Sequence, residues 1–383
     1  MLGQDNRPLR RATPTEAASG PGAARPIRVL VADDSAVLRQ AIRRALEADP
    51  AIEVVDTARD GLDALLKVER LQPDVVTMDV EMPNLDGLSA LRLLMERFPR
   101  PVVMFSSLTA EGTDATVRAL AAGAVDFVAK PSGQSSVGLS AVAAELVGKV
   151  KRAARGRVRR VPQAPPTRVA PAAPRTRPVM VRPRPERLLV IGSSTGGPRA
   201  LAELVPALPG DLECAGIIVQ HLPAGFTRSL AARLDQSSAL AVAEASDNDR
   251  LAAGQVLVAP GDYHLTLAGG RVALDQGPRR HGVRPAVDST LEAAAGAFGP
   301  ATLAVILTGM GEDGTAGARA VKQAGGRVLA EAESTCVVYG MPRSVIQAGL
   351  ADEVVPLDQM AAAIGLHLAL LRERTTGRWR HAG

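Results

Sequence analysis

At 383 residues, with 46% hydrophobic but only 2% aromatic side chains, the chain is long enough for two or three domains with largely aliphatic cores. Cys214 and Cys336 are too few and too far apart for a disulfide framework or a zinc knuckle, and no apolar run reaches the length of a membrane helix. The net charge of +5 invites a nucleic-acid reading, yet thirteen basic residues and a single acid, Glu186, fall between Lys149 and Arg187, so that stretch carries +12 and the rest about −7.

Residues 1–26 hold an arginine pair with no apolar stretch behind it, and read as a disordered tail rather than a secretory or twin-arginine signal. From Ile27 the runs IRVLVA, IEVVDTA, DVVTMD, PVVMFSS and VDFVAK alternate with helical patterns such as SAVLRQAIRRALEA and DGLDALLKVERL. Parallel neighbours need a crossover helix, so residues 27–148 predict a doubly wound five-stranded parallel sheet. Ligands of such sheets gather at the carboxyl ends of the strands. Asp33, Asp34, Asp79, Ser106 and Lys130, with the Lys130-Pro131 turn, all fall there. Three close carboxylates repel one another unless a hard divalent cation such as Mg²⁺ joins them. An Asp beside such an ion and a lysine can attack phosphorus to give an acyl phosphate.

Residues 149–187 place eight prolines among the thirteen basic residues, which predicts an extended, self-repelling linker. A second α/β pattern runs over 188–371. Its strands are LLVIG, GIIVQ, QVLVAP, the hairpin YHLTLAGGRVALD, TLAVILTG and RVLAEA, which predict a mostly parallel sheet with an antiparallel hairpin. Residues 372–383 read as a tail, and no repeat of 20–50 residues is present.

Within RLLVIGSSTGG, Gly192 to Gly196 fits G-x-S-x-G, a strand-to-helix turn that lifts Ser194 out of the sheet. A serine hydroxyl needs a base, and the base an acid. Of five histidines, His221 follows the buried-looking strand GIIVQ and belongs at the same sheet edge, whereas His264, His281, His367 and His381 sit in a turn, a loop, a helical pattern and the tail. Asp313, in the glycine-rich LTGMGEDG, competes with Asp262, Asp275 and Asp288 for the role of acid. The same GSSTGG also fits a phosphate-cradling loop, although neither G-x-G-x-x-G nor a Walker lysine accompanies it.

VLVADDSAVLR, DVVTMDVEMPNLDGL and AVDFVAKP resemble the receiver domain of two-component response regulators. The resemblance implies that Asp79 is the phosphoacceptor, Asp33 and Asp34 the acidic Mg²⁺ pair, Ser106 and Lys130 the phosphoryl contacts, and Glu81 the donor of a backbone carbonyl to the metal. Phe127 falls at the usual switching aromatic. VIGSSTGGP, VQHLP, LVAPGDYHL, RPAVDSTL and VILTGMGEDGTAG, in that order, resemble the catalytic domain of chemotaxis protein-glutamate methylesterases.

This second resemblance implies Ser194 as nucleophile, His221 as base, Asp313 as orienting acid, and the amides near Thr195 or Met310 as oxyanion donors, with no cofactor at the esterase site. Ser193 stands where many relatives carry alanine. The implied substrates are glutamyl methyl esters, and selected glutamines, of chemoreceptors. The implied phosphodonor is a chemotaxis histidine kinase, the place of action is cytoplasmic, and neither nucleic-acid binding nor membrane insertion is expected. A receiver lying across the catalytic face until phosphorylated is the expected control. The rivals are a receiver joined to a DNA-binding output, against which stands the want of a helix-turn-helix pattern after the linker, and a receiver with a non-catalytic binding output.

Overall fold

Four N-caps start the helices that wrap the first sheet. The computed structural model describes residues 25–107, 109–130, 136–156 and 185–377; residues 1–24 of the expected 1–26 tail, Pro131, the bulk of the linker and residues 378–383 lie outside the described residues, and 372–377 of the expected 372–383 tail are helical instead. The first half runs β1 (Ile27–Ala32), α1 (Ala36–Glu47), β2 (Ile52–Ala58), α2 (Gly61–Leu71), β3 (Val75–Asp79), α3 (Gly87–Arg97), β4 (Val102–Ser106), α4 (Ala110–Ala121), β5 (Asp126–Ala129) and α5 (Ser136–Arg155). Side chains of Ser35, Asp60, Asp86 and Thr109 accept the amides of Leu38, Asp63, Ser89 and Gly112, giving α1 to α4 fixed starting points. The sheet is parallel in the order β2-β1-β3-β4-β5, as expected, and β1, β3 and β4 are buried on both faces.

Gly87 lets α3 start against the end of β3. A Cβ there would lie 1.9 Å from the carbonyl oxygen of Asp79, a backbone atom that cannot step aside. Gly87→Ala is therefore expected to lower the stability of the receiver half by more than ~2 kcal/mol, read as an earlier unfolding transition in thermal melts. An unchanged melting profile would contradict this packing.

The second half contains β6 (Leu188–Ser193), α6 (Gly197–Ala207), β7 (Ala215–Gln220), α7 (Phe226–Ser237), β8 (Ala241–Glu244), β9 (Gln255–Val258), β10 (His264–Ala268), β11 (Arg271–Asp275), α8 (Val287–Phe298), β12 (Thr302–Ile306), α9 (Thr315–Gln323), β13 (Arg327–Glu331), α10 (Met341–Gln347), β14 (Glu353–Val355) and α11 (Leu357–Gly377). Seven strands in the order β14-β13-β12-β6-β7-β9-β8 form a sheet that is parallel throughout, and the hairpin β10-β11 is a two-stranded sheet of its own. The short edge strands β8 and β14 were not expected from the sequence. β6 lies between β12 and β7, in register from Leu188↔Ala215 to Ser193↔Gln220 on one side and from Thr302↔Leu188 to Ile306↔Gly192 on the other.

The structure corrects the boundary placed at residue 149. Leu146, Val150 and Ala153 recur at helical spacing and are buried in the receiver core, so α5 continues to Arg155 through residues expected to be linker. At the far end Arg187 is also buried, donating to Leu368 O at 2.8 Å and to Glu213 Oε2 at 2.9 Å. The stretch without described structure is residues 157–184.

The two halves pack together. α4 lies on α6 and α7, Phe127 meets Phe226 with ring centroids 4.5 Å apart, and Val337 packs against the receiver core. Among the described residues no helix is long and apolar enough to cross a membrane.

Candidate active site

The turn after β6 is held open by Gly196, whose φ of 81° lies in the left-handed region and whose absent side chain leaves room for Val337. It presents two serines very differently. Ser193 is fully buried and its hydroxyl donates to Gln220 Oε1 at 2.7 Å, whereas Ser194 lines a cleft of about 480 Å³. Gln220 Nε2 donates to Ser194 O at 2.9 Å and to His221 O at 3.3 Å, tying the ends of β6 and β7 together.

His221 Nε2 lies 2.7 Å from Asp313 Oδ2. That carboxylate is 2% exposed and also accepts the amides of Val287 at 2.7 Å, Asp288 at 2.9 Å and Gly314 at 2.9 Å. Burial opposes its ionisation, but His221 and these amides outweigh burial and hold Asp313 below the usual carboxylate range. It therefore stays an anion beside the imidazole. With Nε2 occupied, Nδ1 is the ring nitrogen without a side-chain partner, and Ser194 and His221 line the same cleft without a hydrogen bond between them. The amides of Thr195 and Met310 have no acceptor among the described residues, while that of Ser194 is already bonded to Thr308 O at 3.0 Å.

The other candidate histidines and acids have partners of their own, His281 and Asp288 beside Asp313 in the same cleft. His264 offers Nε2 to Pro278 O and accepts Ala286 N at Nδ1, and His367 pairs with Glu353. Asp262 pairs with Arg279 and Arg284, and Asp275 accepts Gly277 N. Asp288 accepts Gly314 N and Gly317 N with one oxygen and meets His281 with the other at 2.8 Å. His381 lies outside the described residues.

Receiver residues form part of the same cleft. Asp126 Oδ2 accepts the hydroxyl of Thr195 at 3.1 Å, and Lys149 pairs with Asp126 at 3.2 Å while its ammonium also reaches Phe127 O. Asp126 lies within the AVDFVAKP run, but nothing in that run pointed to a contact with the second half.

At the other sheet edge, Asp33, Asp34 and Asp79 place ligand oxygens within 4.8 Å of one another. Lys130 Nζ is 2.7 Å from Asp79 Oδ2 and 3.4 Å from Asp33 Oδ2. Burial, followed by the field of Asp33, pushes Asp79 up to about 6 against the pull of Lys130. Apart from the Lys130 ammonium 3.4 Å away, Asp33 Oδ2 is buried with no hydrogen-bond partner, so the carboxylate oxygens here suit a hard divalent cation. Glu81 follows in the adjoining loop, its amide 3.3 Å from Asp79 Oδ1. Ser106 is buried, with its hydroxyl turned to Gly112 O at 3.1 Å.

The CheB methylesterase family model matches residues 189–364, and that of the response regulator receiver domain matches residues 29–140. A protein-glutamate methylesterase/protein-glutamine glutaminase of Symbiobacterium thermophilum is 55% identical over 358 residues, covering 89% of this chain and 96% of that protein. The chain belongs to the CheB methylesterase family. A protein of the same description from Thermotoga maritima is 48% identical over 337 residues, covering 87% of this chain and 96% of its own. The crystal structure of the Thermotoga maritima CheB methylesterase catalytic domain is 50% identical and covers 46% of this chain and 96% of that chain, with a TM-score of 0.45. In this CheB-type chain the receiver and the methylesterase half thus stand in one polypeptide, with the cleft at their junction.

Proposed function

We propose that Ser194, His221 and Asp313 are the nucleophile, base and orienting acid with which this CheB-type chain hydrolyses glutamyl methyl esters of chemoreceptors. The observation that carries the reading is the His221–Asp313 pair at 2.7 Å, on strand ends flanking the Ser194 turn. Ser194 Oγ attacks the ester carbonyl as His221 Nδ1 takes its proton, and the amides of Thr195 and Met310 receive the oxyanion. His221 returns the proton to the departing methoxide. Methanol leaves, and a water deprotonated by the same imidazole frees the glutamate. With a glutamine side chain, protonated His221 delivers its proton to departing ammonia, giving the same glutamate.

Asp79 is the phosphoacceptor in this reading, and a chemotaxis histidine kinase is the donor. Asp33, Asp34, Asp79 and the carbonyl of Glu81 would hold Mg²⁺, which when bound offsets the charge of the transferring group. Lys130 and Ser106 would contact phosphoryl oxygens, Ser106 after leaving Gly112 O. The enzyme acts in the cytoplasm on receptor segments that project there. Release of methanol from methylated receptor membranes by the full chain, faster with a phosphodonor than without, tests the function directly. No release under either condition would overturn it in favour of a non-catalytic output.

The acid pocket has a stability signature. A carboxyl near 6 in the folded chain, against ~3.9 when unfolded, destabilises the metal-free fold increasingly as pH rises above ~4, with the full cost present above ~6. Asp79→Asn is therefore expected to stabilise the chelator-treated chain by ~1–3 kcal/mol at neutral pH, with the gain vanishing toward pH ~4. Thermal melts across that range check it. Equal melting temperatures at neutral pH would contradict the raised Asp79.

A further inference from the structure

Glu331 ends β13, two strands from β6 and its serine turn, is wholly buried, and has no part in the chemistry above. Its Oε2 accepts the amide of Thr308 at 2.8 Å, and the Thr335 hydroxyl and Cys336 thiol face the same carboxyl. We propose that Glu331 is a positioning residue for the esterase site, holding Thr308 and, through Thr308, both the Ser194 turn and the 309–311 loop. The proposal rests on Ser194 being the nucleophile.

Thr308 is the junction of two segments that must stay aligned. Its carbonyl accepts Ser194 N at 3.0 Å, and its hydroxyl lies 3.0 Å from Thr195 O and 3.2 Å from Val338 O, and accepts Val338 N at 2.9 Å. The next residue, Gly309, runs so close that a Cβ on it would sit 2.8 Å from Ser194 Cβ. Any displacement of Thr308 is thus passed on to the serine. Packing does not fix Thr308 on every side, because a cavity of about 380 Å³ lined by Gly196, Thr308 and Glu331 opens there. The hydrogen bond from Thr308 to Glu331 fixes what packing leaves loose.

A carboxyl is a costly choice for a fully buried position unless its acceptor is needed. Burial raises the affinity of Glu331 for a proton, and the carbonyl oxygen of the protonated group accepts the same amide, so the role survives either charge state. It requires an acceptor, not a base.

The test compares Glu331→Gln, which keeps an acceptor, with Glu331→Leu, which removes it at similar volume, both in the full phosphodonor-treated chain and beside Ser194→Ala. Glu331→Leu is expected to lower kcat by ~10–100-fold with KM changed by less than about threefold, and to slow labelling of Ser194 by a fluorophosphonate in parallel. Glu331→Gln is expected to stay within about threefold of wild type, with an unshifted pH profile between about pH 6 and 9. Thr308→Val, which keeps the amide bond to Glu331 but removes the hydroxyl bonds, tests the onward link to the serine turn and is expected to lower kcat by about tenfold; Glu331→Met, which also lacks the carboxyl acceptor, takes the place of the leucine variant if that does not fold, with the same expected loss. A folded leucine variant with wild-type kcat, a glutamine variant as impaired as the leucine one, or an unaffected Thr308→Val would overturn the proposal. Activity in Ser194→Ala would instead overturn the nucleophile assignment.

Discussion

Replacing Ser194 by alanine is expected to slow methanol release from methylated receptors by at least ~10³-fold, with the protein still folded and its KM little changed. The turn carrying Ser194 is fixed by backbone bonds, Ser194 N to Thr308 O and Gly197 N to Ser194 O, which alanine keeps, so the loss reports chemistry rather than misfolding. Ser193→Ala is the matching control. Its hydroxyl is buried against Gln220, so it is expected to disturb positioning by no more than about tenfold. Asp313→Asn should approach the serine variant, since an amide cannot stabilise the imidazolium and is free to select the wrong tautomer of His221. If Ser194→Ala kept full activity while Ser193→Ala lost it, the nucleophile would be the buried serine and the triad reading would fall.

Most of what places these groups was written into short sequence segments. The strand ends that hold Asp33, Asp79, Lys130, Ser194 and His221 could be read because a parallel sheet buries its strands as apolar runs and delivers the following residue to a common edge. From the residues alone Asp313 had three competitors for the role of acid, and the family resemblance singled it out. In the structure Val287, Asp288 and Gly314 turn their amides on it and His221 meets it, while Asp262 and Asp275 are spent on arginines and a local turn and Asp288 meets His281. The extent of α5 was missed because the composition of residues 149–155 is that of the basic stretch, and the buried spacing of Val150 and Ala153 is short within it. Glu331 and Asp126 were illegible for a different reason. Both sit in strands that could be read, but each meets a partner distant in sequence, Thr308 and Thr195, which no strand pattern names.

Asp126→Ala is expected to raise the rate of the unphosphorylated full chain about tenfold, toward that of an isolated fragment 185–377, while changing the phosphorylated rate by less than about threefold. The geometry argues for a latch with two effects. Asp126 accepts the hydroxyl of Thr195, which immobilises the residue next to Ser194, and it sets a carboxylate beside the place where negative charge develops during acyl transfer. A hydrogen bond to a charged group contributes ~1.5–3 kcal/mol, enough for a tenfold shift between closed and open populations of a modest interface. Phe127, adjacent to Asp126 and stacked on Phe226, with Lys149 over its ring, joins the latch to β5 and hence to Lys130 beside Asp79. Phosphorylation that draws Lys130 toward the phosphoryl group acts on the same strand that carries Asp126. The combination Asp79→Asn with Asp126→Ala should therefore be as fast as Asp126→Ala alone, since removing the latch bypasses the signal. A fragment no faster than the unphosphorylated chain would dispose of occlusion altogether. A fast fragment beside an unchanged Asp126→Ala chain would move the latch to the α4 contacts with α6 and α7 instead.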